Sequence, residues 1–266
     1  MIDNPRSPRV RAVAKLAKRE ARSQTGLFLL EGPQAVSEAL AYRPELIVDL
    51  FTTPHAFERH ADIRSAAAEA ELEVEFVTGA VLDAMADTVT PQGVVAVCRQ
   101  FPTSFKDILA AGPKLVAILE EVRDPGNAGT IIRAADAAGA DAVILTGRSV
   151  DPYNPKVVRA TTGSLFHLPV AVGAELGEVV ALCTSSGLQV IAADIKGADL
   201  LSARKAGALA APTAWLFGNE ARGLTEEHYA LADWVITVPI YGHAESMNLA
   251  TAASVCLYES AFAQRS

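Results

Sequence analysis

Between residues 115 and 239 the chain repeats one pattern: a short, fully apolar run, a polar loop, then a helical stretch. The runs are LVAILE (115–120), AVILT (142–146), LPVAV (168–172), QVIAAD (189–194), TAWLFG (213–218) and WVITVP (234–239). Helical periodicity falls at 128–138, 175–185, 225–231 and 246–263. Strands apolar on both faces and separated by helices belong to a parallel sheet covered on both sides. The fold class read from this is α/β. In such sheets ligands bind beyond the carboxyl ends of the strands. The loops after 120, 218 and 239 are therefore the places to look for chemistry.

The first hundred residues alternate less regularly. A basic helix (8–20) precedes the short strand GLFLLEG, a helix opened by Pro33, a strand at 46–53, a helix to about Glu71, VEFV (74–77) and GVVAVC (93–98). RQFPTSFKDILAAGP (99–113) has two prolines and reads as a linker with one short helix. The expected organisation is a small α/β domain over 1–100, a linker over 101–113 and the parallel-sheet domain over 114–266.

Half of the 266 residues are hydrophobic and a fifth are charged, ordinary for a globular protein. No apolar run is long enough to cross a bilayer, and the basic N-terminal stretch lacks the apolar core of a signal peptide. Cys98, Cys183 and Cys256 are scattered, and the five histidines have no ligand spacing. No metal site or disulfide is expected, and the expected location is the cytoplasm. The net charge of -8 argues against indiscriminate nucleic-acid binding. Residues 1–23 nevertheless carry a local balance of +5. On charge alone, a solvated helix face is favoured over polyanion binding for that cluster.

The loop RDPGNAGTIIR has neither the G-x-G-x-x-G of dinucleotide sites nor the G-x-x-x-x-G-K-[ST] of phosphate loops. A Rossmann oxidoreductase or an NTPase is thereby disfavoured. Asn127 stands where a helix N-cap belongs, and Gly129 allows close backbone packing. Arg133 sits among Ile131, Ile132, Ala134 and Ala135; an Arg133–Asp136 helix pair would explain it structurally. In WLFGNEARGL, Gly218 and Gly223 flank Glu220, which is either a ligand loop or an ordinary strand-to-helix turn. In VPIYGHAESMNLATAASVCLYE, Pro239 ends a strand and Ser246 or Asn248 opens a helix; N-capping accounts for one of the two.

In order and content these three loops resemble the SpoU (TrmH-like) branch of the knotted SPOUT RNA methyltransferases. Asn127, Gly129 and Arg133 match the family's N-x-G-x-x-x-R. FGNEARGL matches its second motif, and PIYGHAESMNLATA its third, usually P-[IM]-x-G-x-x-x-S-L-N-[VL]-S-x-A. Met247 replaces the usual Leu, a volume-conserving change, and Ala250 replaces the usual Ser.

The resemblance implies methyl transfer from S-adenosylmethionine to a ribose 2'-hydroxyl, ribosomal RNA before transfer RNA. It implies a deep trefoil knot, a small N-terminal domain akin to ribosomal proteins, and a homodimer with the site near the subunit interface. Arg133 would be the catalytic arginine, with Asn127, Glu220, Ser246 and Asn248 orienting it and the ribose. Leu216, Gly218, Val238, Ile240 and Met247 would hold the cofactor. With RNA as substrate, Arg9, Arg11, Lys15, Lys18, Arg19 and Arg22 become candidate phosphate contacts. A guanidinium is protonated below about pH 12, so charge stabilisation is chemically easier for Arg133 than proton removal. The competing reading is a non-catalytic RNA-binding protein on the same scaffold.

Overall fold

A computed structural model describes residues 1–266. The chain forms two units: Met1–Phe101 with Asp151–His167, and Pro102–Val150 with Leu168–Ser266. The second unit begins at Pro102, so the helix Phe105–Ala110, in the stretch read as a linker, belongs to that unit and buries Ile108 and Leu109 in its core. The return of residues 151–167 to the first unit has no counterpart in the sequence reading, which assigns that stretch to 114–266.

In the first unit, β1 (Leu27–Glu31), β2 (Ile47–Thr52), β3 (Val74–Phe76) and β4 (Val94–Arg99) form a mixed sheet in the order β1-β4-β2-β3. β4 runs antiparallel to both β1 and β2, while β3 lies parallel to β2. Leu29, Phe51, Val95 and Val97 project into a core that Val10, Val13 and Leu16 close from the N-terminal helix. The basic helix expected over 8–20 is two helices, Pro8–Lys15 and Arg19–Thr25. Arg22 secures the break between them. It is 2% exposed, donates from Nη1 to the carbonyls of Leu16 and Ala17, and holds Asp151 through Nε and Nη2 at 2.9 and 2.7 Å. Arg159 reaches Glu31 and Asp87, both at 2.9 Å, and Tyr153 accepts the Phe101 N–H. These bonds fasten 151–167 to the first unit.

In the second unit, six strands lie parallel in the order β10-β8-β9-β5-β6-β7. They are β5 (Leu115–Glu120), β6 (Ala142–Thr146), β7 (Val170–Ala174), β8 (Gln189–Asp199), β9 (Thr213–Phe217) and β10 (Trp234–Thr237). β5, β6 and β9 are buried along their whole length, as their unbroken apolar sequences require. The expected helices appear as Pro125–Ala138, Leu176–Ser185, Glu226–Leu231 and Leu249–Gln264. The last of these packs on β9, where the buried Trp215 indole N–H donates to Ser260 Oγ at 2.9 Å.

β8 runs five residues beyond its expected end. Its register against β10 jumps: Val235 pairs with Ala192, but Ile236 pairs with Ala198. Residues 193–197 are left without β10 partners, and the strand bends there. Gly197 is required by the return, because a Cβ there would lie 2.5 Å from the Ile236 nitrogen.

Removing one partner of a buried charge pair strands the other, so Arg22→Ala is expected to lower unfolding free energy by about 3 kcal/mol. Arg11→Ala, at an exposed position, should cost less than about 0.5 kcal/mol. Equal denaturation midpoints for the two variants would contradict the structural role of Arg22.

Candidate active site

Pro125 occupies the first position of the Pro125–Ala138 helix, and the Asp124 carboxylate accepts the Asn127 N–H at 2.7 Å. Asp124 is therefore the N-cap, not Asn127 as the sequence suggested. A proline needs no hydrogen-bond partner at this position, and the cap falls one residue before it. The Asn127 side chain is thus released from capping. Asn248 does cap the Leu249–Gln264 helix, accepting from the Thr251 N–H at 3.2 Å.

These two asparagines meet. Asn248 Nδ2 donates to Asn127 Oδ1 at 3.0 Å, and Asn127 Nδ2 donates to Glu220 Oε1 at 3.4 Å. The Glu220 carboxylate also accepts the Asp124 N–H on Oε1 (3.0 Å) and the Arg123 N–H on Oε2 (3.2 Å). Asn219 Nδ2 donates to the Glu121 carbonyl at 2.8 Å, while its Oδ1 accepts the backbone N–H groups of Ala221 and Arg222. The loops leaving β5, β9 and β10 are joined by this one polar network.

Beside the network lies a cavity of about 640 Å³. Asn127, Glu220, Ser246 and Asn248 line it, as do Gly218, Val238, Ile240 and Met247. Two residues expected at the site are elsewhere. Leu216 is fully buried in the sheet core and does not line the cavity; its neighbour Phe217, equally buried, borders it. Arg133 is exposed and does not line the cavity. Six helical residues separate it from Asn127, which is about 9 Å of rise and a rotation of about 240°. Gly218 is sterically required: a Cβ there would lie 2.7 Å from the Gly223 carbonyl carbon and 2.8 Å from Leu224 Cγ.

The bend in β8 adds Ala193, Asp194, Ile195 and Lys196 to the cavity wall, with Tyr229 beside them. Burial and the adjacent Asp194 carboxylate push the Tyr229 phenol up to about 12. Sequence reasoning missed these groups. The available signal was that β8 is also a parallel strand, so its carboxyl end faces the same edge as the other loops. Ala250 lacks the family's usual hydroxyl, but it is buried and no buried side-chain polar atom in the protein lacks a partner.

The basic arm divides. Arg11, Lys15, Lys18 and Arg19 are exposed. Arg9 is paired with Asp49 and Glu75 and lies over the Phe51 ring. Arg22 is withdrawn from the phosphate-contacting set, because its guanidinium is buried on Asp151 and two backbone carbonyls.

The profile of the SpoU rRNA methylase family matches residues 114–258, and that of the RNA 2'-O ribose methyltransferase substrate-binding domain matches 29–104. The chain belongs to the SpoU rRNA methylase family. It is 32% identical over 258 residues, 97% of each chain, to the 23S rRNA (guanosine(2553)-2'-O)-methyltransferase of Bacillus subtilis. An AdoMet-bound rRNA methyltransferase from Sinorhizobium meliloti superposes with TM-score 0.84 at 31% identity, covering 97% of this chain and 96% of the other. The SpoU methyltransferase AviRb from Streptomyces viridochromogenes, in complex with AdoMet, gives TM-score 0.84 at 29% identity, covering 97% and 99%.

Gly218→Ala should lower stability by about 1–3 kcal/mol through overpacking. Gly242→Ala in the neighbouring loop, where a Cβ meets nothing within 4 Å, should be nearly silent. Thermal unfolding distinguishes them, and an unchanged midpoint for Gly218→Ala would refute the close packing described here.

Proposed function

We propose that the chain transfers a methyl group from S-adenosylmethionine to the 2'-hydroxyl of a ribose in ribosomal RNA. One observation carries this reading: the polar residues of three strand-exit loops, far apart in sequence, converge on one cavity through a continuous hydrogen-bond network. The cavity suits the cofactor. Its volume lies in the range of small-molecule sites, and Gly218 gives close backbone access. Val238, Ile240 and Met247 offer apolar surface for a base, and Asp194, Thr237 and Ser246 offer polar groups for a sugar.

When bound, S-adenosylmethionine supplies a methyl group on an electrophilic sulfonium. The protein's task is to bring the hydroxyl oxygen into line with that methyl and to stabilise the charge that develops. Positioning of this kind supplies much of the acceleration in transfer reactions. Glu220 fixes the Arg123–Asp124 backbone and the Asn127 amide, while Asn127 and Asn248 hold each other. Asn127, Asn248 and Ser246 orient the ribose.

Arg133 neutralises the phosphate beside the target ribose. Its position outside its own chain's cavity supports a homodimer in which it serves the neighbouring site. The exposed Tyr258 and Phe262 on the Leu249–Gln264 helix supply apolar surface for such a dimer. The close passage of β10 over Gly197 accords with the trefoil knot, and the first unit would act as a ribosomal-protein-like RNA-binding domain, with Arg11, Lys15, Lys18 and Arg19 on phosphates. A cytoplasmic location follows from the substrate. The retained polar set around the cavity favours an enzyme over a non-catalytic RNA-binding protein.

The test is incubation with unmodified ribosomal RNA and labelled cofactor, followed by mapping of the 2'-O-methyl. Arg133→Ala should abolish transfer and leave cofactor affinity within about twofold, as expected of a group acting on the transition state alone. Full activity in that variant would sink the assignment.

A further inference from the structure

Three arginines converge beside the cavity, and the reaction described above gives them no task. Arg123 Nη2 lies 3.3 Å from Glu121 Oε2, Arg148 Nε lies 3.5 Å from Glu121 Oε1, and Arg222 Nη2 also bonds Oε2. They come from three places in the chain: the loop after β5, the turn after β6 and the loop after β9. One carboxylate thus gathers three guanidiniums in a protein whose net charge is -8. The arginine side chains are 51%, 86% and 63% exposed, whereas Glu121 is 19% exposed. Arg222 itself lines the cavity.

The conformation of Glu121 is part of the arrangement. Its φ of +50° is uncommon for a residue other than glycine, and the Asn219 side chain holds its carbonyl. Such backbone strain concentrates at functional sites. Partial burial would raise the Glu121 pKa, but the charges of Arg123, Arg222 and Arg148 outweigh it and hold the carboxyl below the usual range. The carboxylate therefore stays ionised and keeps the three forks aimed at one place. Arginine forks match phosphate oxygens as they match carboxylates, and side chains already ordered lose less entropy on binding.

We propose that Arg123, Arg148 and Arg222, gathered by Glu121 at the edge of the cavity, dock the phosphodiester backbone of the substrate RNA next to the ribose being methylated. The inference rests on the methyl-transfer reading above. It makes the second unit a phosphate-binding surface in its own right, separate from the basic N-terminal arm. Arg222 borders both the cavity and the cluster, so it ties the strand's path to the reacting centre. Arg123 and Arg148 hold the strand farther out.

The test uses the full chain and unmodified ribosomal RNA transcribed in vitro. Three quantities are read: S-adenosylmethionine affinity by calorimetry, methyl incorporation, and the dependence of RNA affinity on KCl. Arg222 is left intact because it lines the cavity. The Arg123→Gln/Arg148→Gln double variant should bind the cofactor as the wild type does. The slope of log Kd against log salt should fall by about 1.4, about 0.7 for each lost contact to a single strand. The KM for RNA should rise about tenfold while kcat at saturating RNA holds, because uniform binding is what has been removed. Arg123→Lys/Arg148→Lys should restore most of the salt slope.

An unchanged slope and KM in the glutamine variant, with the wild type methylating the RNA, overturns this inference alone. Loss of cofactor binding in that variant also overturns it, since the arginines would then serve the cavity or its folding. Failure of the wild type to methylate the RNA overturns the proposed function, and this inference with it.

Discussion

The Glu220 carboxylate is the tie on which the site depends. Its two oxygens accept the backbone N–H groups of Arg123 and Asp124 and the side-chain amide of Asn127. One residue of the β9 loop thereby sets the path of the β5 loop and the start of the next helix. Hydrogen bonds to an ionised acceptor are about twice as strong as neutral ones. This one also has backbone donors that would otherwise seek water at a helix start. The Asn127–Asn248 contact then extends the tie to the β10 loop. The parallel sheet delivers the three loops to one edge, and the network ties them to one another there.

Around this tie the charges are sorted by depth. Glu220 is occupied by amides, while Asp194 and Tyr229 form a polar corner of the cavity. Three guanidiniums are collected on Glu121 at the cavity's edge, where Arg222 forms part of the wall. Asp194 and Glu220 in the wall suit a cationic cofactor, and the arginines gathered at the edge suit an anionic strand. The overall acidity of the chain is compatible with an RNA substrate because the positive charge is placed at specific sites.

Much of this was legible in the sequence, for identifiable reasons. Continuous apolar runs such as LVAILE and TAWLF exist because β5 and β9 are covered on both faces, so the strands and their exits were readable. Asn127, Glu220, Ser246 and Asn248 were singled out because they lie in the loops after such strands and match the family's motifs, and all four line one cavity. The failures share a cause, long-range partners that local pattern does not encode. Asp124 displaced Asn127 as the cap through a one-residue shift at Pro125. The β8 bend depends on a register jump against β10, so Asp194 and Tyr229 went unnoticed. Arg22 reads as one more basic residue of the arm until Asp151, 129 positions away, is seen to bury it. Arg133 keeps its motif spacing, but helix geometry carries it away from the cavity its motif partners line.

Glu220 ties the β9 loop to the β5 loop, and Asn127 carries the tie on to Asn248. The direct measurement is single-turnover methyl transfer to ribosomal RNA by Glu220→Gln, with far-UV circular dichroism and thermal unfolding recorded in parallel. An amide offers one acceptor oxygen where the carboxylate has two, so either the Arg123 or the Asp124 N–H loses its partner. The expected result is a folded protein whose transfer rate falls by about 100-fold or more, the scale expected for a misplaced reacting group. A folded variant that transfers methyl groups at the wild-type rate would contradict it.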